Sequence, residues 1–288
     1  MDDGSQVALL GYGEVGRVLA DGLGRQVRLH VYDPAYPPGS AHPNGPALPP
    51  GRPRPEGAAS SPGRVRLAGS NPDAVRGADL VIAVTTGADS VAACAESCPY
   101  VKPGAVYADL STSAPGDKRR IAELVESAGA TAVDGAIMAP IPLRGLATPI
   151  LASGRDADRF AAFANAHGME VAPIGGSPGD AAARKLLRSV LVKGLSALVI
   201  ESRRAAEAAG LGEWFWGHLL ETVTDADEQF VMRLLRGAGQ HSVRRVHEMH
   251  AATRMLAELG VDHTMTAATA ATLEQVARSG IPDIGDAP

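Results

Sequence analysis

Aromatic residues, cysteines and excess positive charge are all scarce in this chain. Phe, Trp and Tyr together make up 4% of the 288 residues, so aliphatic side chains and alanine must fill any core. The two cysteines, Cys94 and Cys98, stand one helical turn apart. They cannot build the disulfide framework of a small secreted domain, and they read as buried helix residues with free thiols and no redox duty. The formal net charge is −5, from 27 Lys and Arg against 32 Asp and Glu, which leaves no basic field for nucleic acid. Long apolar runs are also missing: the longest, around Val190 to Ile200, is interrupted by Lys193 and Ser196, well short of the ~20 residues of a membrane span. The N-terminus has no basic segment followed by an apolar stretch. These absences together lead to the expectation of a soluble, cytoplasmic protein with neither nucleic acid nor membrane as partner.

Metal chemistry is not expected either. His241, His247, Glu248 and His250 cluster in sequence, but the two histidines flanking Glu248 are three residues apart and not at the i, i+4 spacing of HExxH. Trp214, Phe215 and Trp216 form the one aromatic cluster, which suits core or subunit packing, with a pocket wall as the alternative.

The sequence is rich in alternation between short apolar runs and amphipathic segments. Gln6 to Leu10 fits a buried strand, Gly11-Tyr12-Gly13-Glu14-Val15-Gly16 a tight turn, and Val18, Leu19, Ala20 and Leu23 the inner face of a helix. A second run, Val27 to Tyr32, ends in Asp33, roughly 20 residues after Gly11, which is the spacing of a dinucleotide-binding unit. In such a unit the first glycine makes the turn, the second lets backbone approach a pyrophosphate and the third lets helix and strand pack closely. The phosphates then meet unpaired N–H groups at the helix N-terminus. Further strands are expected at Val65 to Leu67, Asp79 to Val84, Gly104 to Ala108 and Thr131 to Val133. Asn71 and Pro72 are expected to cap a helix between them. Strands alternating with helices imply an α/β, Rossmann-type, doubly wound parallel sheet.

Residues 34–63 are almost devoid of large apolar side chains and read as a Pro/Gly-rich loop insertion. Beyond Gly175-Gly176 the strand signal stops, and four helices are expected at about Asp180 to Ala209, Glu213 to Leu235, His241 to Leu259 and Thr264 to Ser279. The domain reading is therefore a dinucleotide-binding domain over 1–175 and an all-helical substrate and dimerisation domain over 176–288. The first of these helices carries Lys185, Ser189 and Lys193 four residues apart, on one face. Taken alone, the row reads as a solvated stripe opposite Leu186, Leu187, Val190 and Leu191; its place at the start of the helical half, where a cleft between domains would lie, makes it a candidate site.

Four segments in order resemble the β-hydroxyacid dehydrogenases, the group of 3-hydroxyisobutyrate and 6-phosphogluconate dehydrogenases. They are the glycine fingerprint at Gly11 to Gly16, "DLSTSAP" from Asp109, "DGAIMAP" from Asp134 and "GDAAARKLLRS" from Gly179. "RRVHEM" at Arg244 to Met249 is similar to the 6-phosphogluconate dehydrogenase branch. The resemblance implies that Lys185 is the general acid/base and that Ser189 orients substrate, in place of the usual Asn. It also implies that Thr85, Thr86, Ser111 and Thr112 surround the nicotinamide and its ribose. Met138, Ala139 and Pro140 stand where the family has a Ser-Gly-Gly substrate loop, and Pro140 and Pro142 have no N–H to offer a carboxylate. Lys193 and Arg245 are candidate anion contacts. The chemistry follows from these residue types, since a lysine brought toward pKa ~7–8 by partial burial can take the hydroxyl proton as hydride leaves the carbon.

The function expected is hydride transfer between a nicotinamide cofactor and a small β-hydroxy acid or related alcohol or carbonyl compound. The rival readings are reduction of C=N by an imine reductase-like enzyme and a non-catalytic cofactor-binding protein. NAD is expected over NADP, because Asp33 would accept hydrogen bonds from the adenosine ribose and repel a 2′-phosphate. Excess apolar residues on the helices, with the resemblance, imply a homodimer built through the helical half.

Overall fold

The computed structural model describes residues 5–36 and 65–283, so the expected loop insertion lies, from residue 37 onward, outside the described residues. The chain forms two compact units, 1–188 and 189–288.

In the first unit eight strands make one sheet: β1 (Gln6–Leu10), β2 (Arg28–Tyr32), β3 (Val65–Leu67), β4 (Leu80–Ala83), β5 (Val106–Asp109), β6 (Thr131–Ile137), β7 (Pro149–Ser153) and β8 (Glu170–Pro173). Their order is β3-β2-β1-β4-β5-β6-β7-β8. All neighbours run parallel except β6 and β7, which are antiparallel, with Asp134 opposite Ser153. The chain winds outward from β1 in one direction through β3 and then returns to β4 on the other side of β1. That reversal is the switch point at which open α/β sheets bind ligands, beyond the C-terminal strand ends.

Alternate residues of the strands enter two separate cores, as helices on both faces require. Val7 and Leu9 pack with Leu19, Leu23 and Phe160 on one side, while Ala8 and Leu10 pack with Tyr107, Ile121 and Val125 on the other. The helices of this unit are α1 (Glu14–Leu23), α2 (Asn71–Val75), α3 (Ser90–Ser97), α4 (Pro115–Ser127), α5 (Ile141–Arg144), α6 (Ala157–Ala166) and the first part of α7 (Asp180–Ala208). Cys94 and Cys98 are free and buried in the second core, with their sulfurs 3.4 Å apart. The cap of α2 lies one residue earlier than expected: Ser70 Oγ accepts from the Asp73 amide, Pro72 occupies the first turn, and Asn71 turns its amide to Glu96.

Two strands escaped the sequence reading. β8 is a four-residue edge strand that ends in Pro173, and β7, beside it, begins with Pro149, so proline, a residue that argues against strand in a sequence reading, stands in both.

The second unit holds the rest of α7 and α8 (Gly212–Thr224), α9 (Glu228–Gln240), α10 (Ser242–Glu258) and α11 (Thr264–Ser279). The single helix expected over Glu213 to Leu235 is in fact α8 and α9. The break falls at Asp225 to Asp227, where the Asp227 carboxylate caps α9 by accepting from the Phe230 amide. Glu201, buried on α7, fastens the start of α11: it accepts from the Met265 and Thr266 amides and the Thr266 hydroxyl at 2.6–2.8 Å. Strands end at Pro173 and α7 starts at Asp180, so a division at 175/176 separates strand-bearing from helical chain, whereas the compact units part inside α7. Among the described residues no helix is long and apolar enough to cross a membrane.

Candidate active site

The glycine turn after β1 is shaped by close contacts that leave one opening. Gly11 has φ +103°, and a Cβ there would lie 2.7 Å from the Val84 carbonyl oxygen. A Cβ on Gly16 would stand 2.1 Å from the Gly11 oxygen, so α1 and the turn touch backbone to backbone. Gly13 differs, for a Cβ at that position would meet nothing within 4 Å. It is the N-cap of α1 and provides no side-chain cap, so the first N–H groups of the helix are left for an anion. Glu14 is exposed beside them, and Val15 packs on the core.

Asp33 lies just beyond β2, and its carboxylate organises the same corner. One oxygen accepts from the Tyr12 amide at 2.7 Å and the other from the Ala35 amide at 2.8 Å. A carboxylate has about four acceptor sites, so two hydroxyls of a ribose still find partners on it. Arg17 reaches the Tyr12 carbonyl and the Tyr36 hydroxyl and lies over the Tyr36 ring, closing this side of the turn with a cation.

The loops after β4 and β5 approach each other closely. Thr85 Oγ1 is 3.1 Å from Ser111 Oγ, and a Cβ on Gly87 would collide with the Thr112 carbonyl at 2.1 Å. Thr86 serves its own loop, since its hydroxyl is bonded to Asp89 ahead of α3. The Ser113 hydroxyl is buried and makes no hydrogen bond, an unspent polar group in the same loop. Together, the open face at Gly13, the uncapped helix and this hydroxyl fit a dinucleotide laid across the strand ends.

Lys185 lies on the second turn of α7, and its Nζ donates to Thr112 Oγ1 at 2.7 Å. The start of α7 is held by β6 and β7. Asp134 accepts from the Gly179 and Ala182 amides at 2.9 and 3.0 Å, and Ser153 Oγ accepts from the Ala181 amide at 3.1 Å. Behind them Lys118, on α4, lies between Asp109 and Asp134 at 2.8 and 3.3 Å, all three side chains 1% exposed. Lys118 and Ser153 were not evident from the sequence. Asp109 and Asp134 opened recognisable segments, but nothing in the spacing tells that a lysine on the next helix pairs with both. Gly87 was likewise missed, since its close approach is a property of two loops.

The structure thus brings Thr85, Ser111, Thr112 and Lys185 together. Ser189 and Lys193 follow one and two turns later along α7, in the second unit. Arg245, on α10, rests against Gly237 of α9, where a Cβ would come within 2.5 Å of its guanidinium. Of the expected substrate loop, the Met138 amide is bonded to the Pro149 carbonyl, Ala139 is partly exposed and Pro140 is the N-cap of α5. The Met138 amide and the two prolines therefore supply no free donor there. Among the described residues no three His, Cys, Asp or Glu side chains cluster to hold a metal; His250 pairs with Glu274.

Residues 6–139 match the NAD binding domain of 6-phosphogluconate dehydrogenase, and residues 206–276 match a domain of unknown function, DUF1932. A conserved hypothetical protein from Sinorhizobium meliloti 1021 is 30% identical over 98% of this chain and 91% of its own, with a TM-score of 0.58.

The chain belongs to the same family as this Sinorhizobium meliloti protein, and its first part is an NAD binding domain of the 6-phosphogluconate dehydrogenase type.

The match to DUF1932 lies in its helical C-terminal part. A second relative, a conserved protein of unknown function described as structurally similar to 3-hydroxyacid dehydrogenases, is 28% identical over 94% of this chain and 96% of its own, with a TM-score of 0.57. An imine reductase from Aspergillus terreus, solved with NADPH4 and dibenz[c,e]azepine, has a TM-score of 0.72 over 97% of this chain and 95% of its own. At 19% identity that likeness concerns the fold alone.

Proposed function

We propose that this 6-phosphogluconate dehydrogenase-like protein is an NAD-dependent oxidoreductase that interconverts a small β-hydroxy acid, or a related alcohol, and its carbonyl form, with Lys185 as the general acid/base. The observation that carries the reading is the 2.7 Å hydrogen bond from Lys185 Nζ to Thr112 Oγ1. It holds an amine at the C-terminal ends of the strands, beside loops that suit the nicotinamide half of a dinucleotide. A lysine on a merely solvated stripe has no reason to be held there.

Bound NAD supplies the hydride acceptor. Lys185, as the free amine, takes the hydroxyl proton while the C–H bond gives up hydride, so the alcohol loses two electrons and becomes the carbonyl. In the reverse direction the ammonium returns the proton to the oxygen. Thr112 accepts one Nζ hydrogen and so fixes the amine beside the loop after β5. Ser189, one turn on, is proposed to orient substrate through its hydroxyl, and Lys193 and Arg245 to pair with an anionic substrate group. Asp33 favours NAD, since a 2′-phosphate would face its carboxylate.

The subunits are proposed to pair through the helical half. Leu187, Val190 and Leu191 are 70–74% exposed on α7, and Trp214 is 63% exposed on α8, a concentration of apolar surface that a second copy would cover.

A second reading, reduction of C=N, is favoured by one feature: in the loop at Met138 to Pro142 the Met138 amide is already bonded and Pro140 and Pro142 have no N–H, which leaves fewer backbone donors for a carboxylate. Incubation with NAD and small hydroxy acids, and in parallel with NADH and cyclic imines, followed at the nicotinamide absorbance, distinguishes the two. Turnover of hydroxy acids supports the dehydrogenase; turnover confined to imines replaces it with the second reading; binding of cofactor without turnover of either set leaves a non-catalytic protein.

A further inference from the structure

The buried charges behind the site have a part to play that neither cofactor nor substrate contact explains. Asp134 uses its two carboxylate oxygens on different structures. Oδ1 faces Lys118 Nζ at 3.3 Å, and the same ammonium binds Asp109 through its carboxylate at 2.8 Å and its carbonyl at 2.7 Å. Asp109 in turn accepts from the Ser111 amide with Oδ1 at 3.1 Å, so it fixes the root of the loop that carries Thr112. Oδ2 of Asp134 faces the other way, toward the Gly179 and Ala182 amides and the Ser153 hydroxyl. Ala182 is three residues, about one helical turn, before Lys185.

Two carboxylates and one ammonium leave a net negative charge in an interior position. The positive end of α7 offsets it, since its first N–H groups converge on Asp134 and Ser153. Stability alone is a poor reason for such an arrangement, because a buried ion pair is often no better than apolar residues of the same volume. Geometry gives a better one: the same carboxylate ties down both partners of the Lys185–Thr112 hydrogen bond, the loop through Lys118 and Asp109, the helix through its first amides.

We propose that Asp134, bridged by Lys118 to Asp109, is a positioning residue that sets Lys185 against Thr112 and so against the reacting hydroxyl. The proposal rests on the reading of Lys185 as acid/base. Displacement by about 1 Å of a group that must lie within hydrogen-bond reach costs on the order of 10²-fold in rate without weakening the contacts that bind ligands.

The test uses the full chain in four forms: unaltered, Asp134→Asn, Lys185→Ala and the double variant, with Ser153→Ala as a milder removal of the same tether. Asp134→Asn keeps the shape of the side chain but presents Lys118 and the α7 amides with an uncharged group. Its kcat is expected to fall about 10–100-fold, with KM and NADH affinity within about twofold of the unaltered protein. In the double variant it is expected to add nothing to the loss from Lys185→Ala. Independently of activity, acetylation by acetic anhydride, read by mass spectrometry, is expected to change in rate at Lys185 and not at the exposed Lys102. Ser153→Ala is expected to change both readouts in the same direction by a smaller factor, and it carries the test if Asp134→Asn does not fold. A folded Asp134→Asn protein with unchanged kcat and unchanged Lys185 acetylation, or a full multiplicative loss in the double variant, overturns the proposal. Unchanged kcat in Lys185→Ala instead overturns the acid/base reading, while altered Lys185 acetylation in Asp134→Asn would still uphold the tether.

Discussion

Lys185 and Thr112 are 73 residues apart in sequence and 2.7 Å apart in space. One belongs to the start of α7, the other to the loop after β5, and both lie in the first compact unit. The apolar side of that row does not favour a solvated stripe over a buried seam: Leu187, Val190 and Leu191 are exposed within a single chain.

The glycine turn yields a contrast between two substitutions of the same size. Gly13→Ala adds a methyl to open space and is expected to leave the melting temperature within about 2 °C, while weakening NADH binding about tenfold or more, because the methyl occupies the approach of the pyrophosphate. Gly16→Ala forces a methyl against the Gly11 carbonyl and is expected to cost about 3 kcal/mol of stability, the upper range of overpacking. Thermal melting and fluorescence titration of NADH on both variants provide the check.

Asp33 is expected to make the protein prefer NADH to NADPH by at least about tenfold. Asp33→Asn removes the charge that opposes a 2′-phosphate and loosens the Tyr12 and Ala35 contacts, so NADH affinity should fall and the gap to NADPH should narrow. Titration of both cofactors against both proteins measures it. Tighter NADPH binding by the unaltered protein would reverse the assignment.

Glu201 links stability of the helical unit to pH. Burial pushes its carboxyl up, but the Thr266 hydroxyl and the Met265 and Thr266 amides outweigh this and hold it below the usual glutamate range. A group whose pKa is lower folded than unfolded contributes stability above its unfolded pKa and loses it as pH falls through the folded value. Protection of the amides at the start of α11, read as hydrogen exchange relative to the intrinsic rate at each pH, should therefore fall as the pH drops below the ordinary glutamate range. In Glu201→Gln that protection should be low already at neutral pH and depend less on acid.

How much of this was legible in the sequence differs by kind of signal. The strand, glycine turn and helix at residues 6–23 are local and strongly periodic, and they appear in the structure with the same bounds to within a few residues. Asp225 and Asp227 divided a helix that apolar periodicity alone carried through, because a carboxylate cap outweighs pattern at that point. β7 and β8 depend on pairing with a sheet edge that only the folded chain presents. In the site, Lys185 was visible from its row and its resemblance, but Lys118 acts across 9 and 16 residues of chain, Gly87 across 25 and Ser153 across 28, distances over which no helical or strand period operates.

The exposed apolar residues on α7 and α8 lead to an expected dimer mass by sedimentation at micromolar concentration. Leu191→Asp, which places a charge in the surface to be covered, should shift the population toward monomer while leaving far-ultraviolet circular dichroism unchanged. A monomer for the unaltered protein would mean that this surface has another role.

The central claim is that Lys185 moves the proton, and turnover of Lys185→Ala with a substrate found in the hydroxy-acid panel tests it most directly. Turnover is expected to fall about 10²–10⁴-fold, the range for loss of a general acid/base, with NADH affinity nearly unchanged and folding confirmed by circular dichroism. A folded, cofactor-binding variant with the turnover of the unaltered protein would contradict the account.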